Sequence, residues 1–131
     1  MERQVVNPWT WQDQFGYAQA IEVSGAERTL YCAGQTSVDG DGNPVHEGDM
    51  TAQLAQAVDN LETVLKQGGF GLADVVRLNY YVTDVDAFFA VGEAGGKRLA
   101  EEGCQPAGTL LGVQRLAMPE LLVEIEATAV R

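Results

Sequence analysis

Positive charge is scarce in this chain: eight lysines and arginines stand against 19 aspartates and glutamates, a formal net charge of −11 over 131 residues. No Lys/Arg cluster offsets that surplus, so a phosphate backbone meets repulsion and nucleic acid is a poor partner. Histidine occurs once, as His46 beside a turn-rich stretch, which is too little for a Ser-His constellation or a metal site. Two cysteines, Cys32 and Cys104, allow one bridge at most, and in a domain with an adequate core they read as reduced thiols. Cys104 reads as a small hydrophobe rather than a nucleophile. No run approaches the roughly 20 apolar residues of a membrane span, and the start from Met1 to Pro8 lacks the apolar block of a secretory signal. A cytoplasmic protein without a membrane partner is expected. No glycine-rich loop runs into Lys-Ser or Lys-Thr, so neither a nucleotide nor any other cofactor is indicated.

What is present is a 46% hydrophobic chain, long enough for one core and too short for two ordinary ones, which predicts a single domain over residues 1–131. Tyr17 to Val23 and Arg28 to Ala33 read as strands joined by the turn Ser24-Gly25-Ala26-Glu27, a predicted hairpin. Asp39-Gly40-Asp41-Gly42-Asn43-Pro44 reads as a loop. Met50, Leu54, Ala57, Val58, Leu61, Val64 and Leu65 recur at helical spacing, with Asp49 as cap and Gly68-Gly69 as terminator. Val76, Leu78, Tyr80 and Val82 alternate with Arg77, Asn79 and Tyr81 in a strand. A second helix is expected from Val85 to Glu101, burying Phe88, Phe89 and Leu99. Gly92, Gly95 and Gly96 weaken its centre by about 1 kcal/mol each and point to close packing or a local irregularity. Thr109 to Leu116 and Leu121 to Val130 read as a closing hairpin. Trp9 and Trp11 read as anchors for an otherwise loose terminus.

The predicted order is β, β, α, β, α, β, β. Two amphipathic helices inserted among strands cover one face of one sheet, giving a two-layer α+β sandwich. A bare opposite face is unusual for a soluble monomer and predicts self-association.

In the last strand, Val123, Ile125 and Ala127 alternate with Glu124, Glu126 and Thr128, so the two carboxylates share the face opposite the apolar residues. The pattern alone favours a solvated strand face over a chemical site. Motifs along the chain alter that balance for Glu124. They are Gly16-Tyr17-Ala18-Gln19-Ala20, Leu30-Tyr31-Cys32-Ala33-Gly34-Gln35, Asp59-Asn60-Leu61, the strand from Asp74 to Asp84, and the ending from Pro106-Ala107-Gly108-Thr109 to Ala127. In this order and spacing the chain resembles the RidA (YjgF) family of imine and enamine deaminases.

The resemblance implies a chorismate-mutase-like α+β protomer, a homotrimer, and small-molecule pockets in the clefts between subunits. In members that deaminate 2-aminoacrylate and related imines, an arginine holds the substrate carboxylate and a glutamate positions or activates water. By that resemblance Tyr17 matches the family's tyrosine, Gly34 its glycine and Glu124 its glutamate, the catalytic group. Ala33 stands in place of a serine, Gly92 in place of an asparagine, and Gly108, before Thr109, in place of the arginine. The implied substrate-binding set is therefore Tyr17, Ala33, Gly34, Gly92, Gly108 and Thr109.

An arginine fork recognises carboxylate through two charge-assisted hydrogen bonds, each worth roughly 1.5–3 kcal/mol. With Glu124 kept and that cation absent, the pocket should be acidic. This points to a neutral or cationic ligand, a bulkier one filling the space at Gly92 and Gly108, or no turnover. Arg77, Arg98 and Arg115 are candidate replacements, but the odd offset from 108 to 115 places Arg115 on the opposite strand face. The competing reading is a non-catalytic ligand-binding or regulatory trimer using the same cleft. Ribonuclease activity fits poorly with the acidic charge balance, and a chorismate mutase would need cations that the chain does not show.

Overall fold

The computed structural model describes residues 1–131. Its elements are β1 (Glu2–Val6), β2 (Ala20–Ser24), β3 (Thr29–Tyr31), β4 (Gln35–Thr36), α1 (Met50–Gln67), β5 (Val75–Val82), α2 (Val85–Glu101), β6 (Leu110–Gly112) and β7 (Val123–Val130). Short 3-10 turns occupy Trp11–Phe15 and Leu72–Asp74.

Both helices start where the local chemistry says they should. The Asp49 carboxylate accepts from the Ala52 N–H at 3.0 Å, and the Asp84 carboxylate accepts from the Ala87 N–H at 3.0 Å. The stripe Met50, Leu54, Ala57, Val58, Leu61 and Leu65 is buried, while Val64, at its margin, is partly exposed. On α2, Phe88 and Leu99 are buried, but Phe89 is exposed, contrary to expectation. One residue further along a helix is about 100° further around it, so neighbours in sequence cannot share one narrow stripe. Gly95 marks the close approach of the helices: a Cβ there would lie 2.5 Å from Leu54 Cδ2.

The main sheet runs β3-β7-β5-β6, with β4 also paired to β7. β7 is antiparallel to β3, β4 and β5, whereas β5 and β6 are parallel. Two helices on a mixed sheet make the predicted two-layer α+β fold. Buried Gln53 ties α1 to the approach of β7, donating to the Glu120 carbonyl at 2.9 Å and accepting from the Leu122 N–H at 2.8 Å. No helix is long and apolar enough to cross a membrane.

Two strand pairings differ from expectation. β2 pairs with β1 in a separate ribbon, Val5 opposite Ile21, instead of forming a hairpin with β3. The intervening Glu27 and Arg28 N–H groups both donate to the Arg131 carbonyl at 2.8 Å, which hands the chain over to β7. β1 is exposed at every position, so it carries no buried periodicity by which to be noticed, and the terminus is paired rather than loose. Likewise β6 does not form a hairpin with β7. It lies parallel to β5, Tyr80 opposite Leu110, because α2 is the crossover that a parallel connection requires. An irregularity between Val75 and Arg77 turns Val75, rather than Val76, into the core.

Candidate functional site

The two faces of β7 separate apolar from ionisable chemistry. Val123, Ile125, Ala127 and Ala129 are buried beneath the helices, and Glu124, Glu126 and Thr128 are half-buried on the other side. Register with β5 sets Tyr81 opposite Glu124 and Asn79 opposite Glu126. The Tyr81 hydroxyl reaches diagonally to donate to Glu126 Oε1, and Asn79 Nδ2 donates to the same oxygen at 3.2 Å. Asn79 is itself oriented, since its Oδ1 accepts from the Thr109 N–H at 3.1 Å.

On the other edge of β7 the pairing is interrupted between β3 and β4, and Gly34 sits in that gap. A Cβ at Gly34 would fall on the Glu124 carboxylate, 2.7 Å from its Cδ. Glycine is what allows Glu124 to lie against the backbone at this point. The result is a cleft of about 330 Å³ lined by Glu124, Glu126, Tyr81 and Gly34, closed by Val113, Arg115, Leu116 and Ala117 from the segment after β6.

The two glutamates are electrostatically unlike. Burial, and then the charge of Glu126, push the Glu124 carboxyl above its ordinary range. The hydrogen bonds from Tyr81 and then Asn79 hold Glu126 below it. The same bond to Glu126 raises the Tyr81 phenol, which keeps its proton. Cys104 is buried and its thiol is pushed up to about 12, consistent with an inert core residue.

Of the residues singled out from sequence, Glu124 and Gly34 come together, with Ala33 exposed beside them. Tyr17 is not among the residues that line this cleft. The Ala18 N–H donates to the Pro106 carbonyl at 3.1 Å, which ties the residue after Tyr17 to Pro106, and the Tyr17 ring meets Trp11 edge-on at 6.2 Å. Trp9 and Trp11 are exposed and pack on each other at 6.5 Å. Gly92 sits in α2 against the Phe88 ring, in the helical layer, and the protomer does not bring it to Glu124.

Gly108 is not an empty space. A Cβ built there would strike the backbone carbonyl of Leu78, 2.8 Å from its carbon, so the position is closed to any side chain in this conformation. The expectation of room for a bulkier ligand at 108 is corrected accordingly. Arg98 bridges the helices, 2.6 Å from Asp59, and cannot serve the cleft. Arg115 does line the cleft, against expectation, because β6 ends at Gly112 and strand parity does not extend through the irregular segment beyond it. Its Nε and Nη2 donate to the Leu116 and Ala117 carbonyls at 3.2 and 3.3 Å. Glu126, Tyr81 and Asn79 were not proposed from sequence as site residues; the one available signal was their shared parity with Glu124 in two alternating strands.

The family model described as endoribonuclease L-PSP matches residues 12–131. The chain belongs to the RidA (YjgF) family. A structure from Yersinia pestis, of the conserved Rid family protein YyfB, is similar over 100% of both chains at 41% identity and a TM-score of 0.89. The YjgF gene product of Escherichia coli is 28% identical over 88% of this chain and 87% of its own, with a TM-score of 0.70. Among sequences, the RutC family protein UK114 of Drosophila melanogaster is 35% identical over 113 residues, covering 86% of this RidA-family chain and 78% of the relative.

Proposed function

We propose that this RidA-family chain is a single-domain cytoplasmic protein that assembles as a homotrimer and hydrolyses a C=N bond, releasing ammonia, in a small neutral or cationic imine or enamine. The observation that carries this reading is Glu124: a half-buried carboxyl wedged against Gly34, raised by burial, at the wall of the cleft. A carboxyl raised in this way holds its proton more readily than an ordinary one, which suits it to proton transfer.

The chemistry balances with Glu124 as the only proton carrier. Its carboxylic acid protonates the imine nitrogen, and the resulting carboxylate takes a proton from water as the water oxygen bonds to the imine carbon. The acid regenerated in that step protonates the amine of the carbinolamine. The C–N bond then breaks with its electron pair leaving on ammonia, the hydroxyl proton returns to Glu124, and the carbonyl forms. The substrate class follows from charge. Two carboxylates face the cleft, Arg115 is engaged with backbone carbonyls, and position 108 admits no side chain. An anionic substrate would find repulsion without a free fork to hold it.

The competing reading is a ligand-binding trimer without turnover, favoured by the glycines at 92 and 108 and by Ala33, which supply no side-chain donors. Ammonia release from freshly generated imines, corrected for the protein-free rate, separates the two. The wild-type protein should exceed Glu124→Gln by at least about 100-fold, the lower end of what a positioned acid–base group contributes. It should also favour amide-bearing imines over their carboxylate counterparts. Equal rates for the two proteins would remove the enzyme reading, and a particle that remains a monomer at micromolar concentration would remove the trimer. The family model's description names an endoribonuclease, but the acidic face around Glu124 and Glu126 is a poor match for RNA.

A further inference from the structure

We propose that Glu126 is a positioning residue for Glu124: gripped by the Tyr81 hydroxyl and the Asn79 amide, it remains the fixed anion of the pair and leaves the exchangeable proton to Glu124. The inference rests on the reading of Glu124 as the acid–base group of the cleft, and it assigns work to three residues that the reaction above does not use.

The geometry begins with strand parity. Glu124 and Glu126 are two residues apart on one face of β7, so their Cα atoms are separated by about 7 Å. Two carboxylates that close together in a partly desolvated cleft disfavour double ionisation. Which of them holds the proton then depends on their hydrogen bonds. Glu126 accepts two, from Tyr81 and Asn79, and Glu124 accepts none from the protomer. The Asn79 amide cannot turn to present its oxygen to Glu126 without abandoning the Thr109 N–H, which its Oδ1 already accepts. Both partners of Glu126 are therefore donors by construction, and donors stabilise the charged form of a carboxyl. Glu124 meets instead the backbone at Gly34, and neither of its register partners, Tyr81 on β5 and Thr36 on β4, donates to it.

The other charged and titratable groups around the pair do not reverse this. Arg77 on β5 shares the open face but forms no ion pair with either glutamate, and Arg115, from the segment after β6, is bonded to backbone carbonyls. Tyr31 on β3 stands opposite Thr128, one strand repeat beyond Glu126. Between β3 and β4, Cys32 packs against the core and Gly34 meets Glu124, so that stretch brings no charged side chain to the pair. The opposite shifts of the two carboxyls agree with this arrangement. A fixed anion beside the proton carrier has a second effect: it stabilises the iminium cation that forms when Glu124 releases its proton.

Carboxyl titrations followed by NMR on protein labelled with ¹³C at the glutamate side-chain carboxyl test the assignment directly, with Glu124→Gln and Glu126→Gln identifying the resonances. Glu124 should titrate above Glu126 in the wild-type protein. In Glu126→Gln the Glu124 midpoint should fall. In Tyr81→Phe the Glu126 midpoint should rise, narrowing the gap between the two. A Glu124 midpoint that stays in place in Glu126→Gln would overturn the proposal, as would an unchanged gap in Tyr81→Phe, which remains decisive if the first variant does not fold. The underlying reading fails differently: ammonia release would be indifferent to Glu124→Gln while the titrations still moved as stated.

Discussion

The helix-covered and open faces of β7 are built from alternate residues of one eight-residue strand, yet they answer to different physics. Beneath α1 and α2, Val123, Ile125 and Ala129 are fully buried and Ala127 nearly so. Their contribution is apolar area removed from water, which is additive, non-directional and tolerant of exchange among residues of similar volume. On the open face, Glu126, Tyr81 and Asn79 form a short directional network whose members have specific partners, and Glu124 stands beside it. The contrast shows how a small domain holds a perturbed carboxyl: one side of the strand supplies rigidity, so that the other can keep an acid group against a backbone at Gly34.

Truncation on the covered side breaks the contrast most forcefully. Leu61→Ala, at a fully buried position of α1, should destabilise the protein by about 2–5 kcal/mol. Glu124→Gln should leave stability near pH 7 almost unchanged or slightly higher. Urea unfolding at fixed protein concentration reads both, with an unchanged slope showing that only stability moved. Comparable losses in the two variants would mean that the open face is structural after all.

Gly108→Ala sharpens the same contrast from its exception. The residue is solvent-exposed, but its added Cβ would meet the Leu78 carbonyl, and backbone rather than a flexible side chain would have to move. A loss of about 1–3 kcal/mol is expected, the range of an overpacked core site. Stability equal to wild type would show that the segment from Ala107 to Thr109 adjusts freely, and that an arginine at 108 would be admissible.

What the sequence made legible divides along similar lines. α1 and α2 were readable because caps and periodicity are local: Asp49 and Asp84 sit one residue before each helix and bond within three. The acidic parity of β7 was equally local, and the family resemblance distinguished Glu124 within it. β1 was missed because five exposed positions carry no hydrophobic period. The pairings of β2 and β6 were misjudged because nearest-neighbour hairpins are only the default, and here a terminal strand and a helical crossover intervene. The partners of Glu126 lie 45 and 47 residues away, a register that no local pattern encodes. The obstruction at Gly108 comes from the backbone of Leu78, a contact between distant segments.

The smallest effect tests the open face by itself, through the pH dependence of folding. Glu124 is raised in the folded state from an ordinary 4.5, so its favourable contribution is complete below that value and is lost as pH rises through the higher folded midpoint. Glu124→Gln removes the loss, and its stability relative to wild type should therefore climb above pH 4.5 and then level off. Glu126 has the opposite sign: lowered in the folded state, it contributes stability above 4.5 that disappears as pH falls through its folded midpoint. The deficit of Glu126→Gln relative to wild type should therefore shrink on acidification below 4.5. Solvent screens both groups, so the changes should be well below that of Leu61→Ala. Their signs matter more than their sizes. Two variants two residues apart on one strand should show pH responses in different windows, and matching responses would mean that the two carboxyls share their proton evenly.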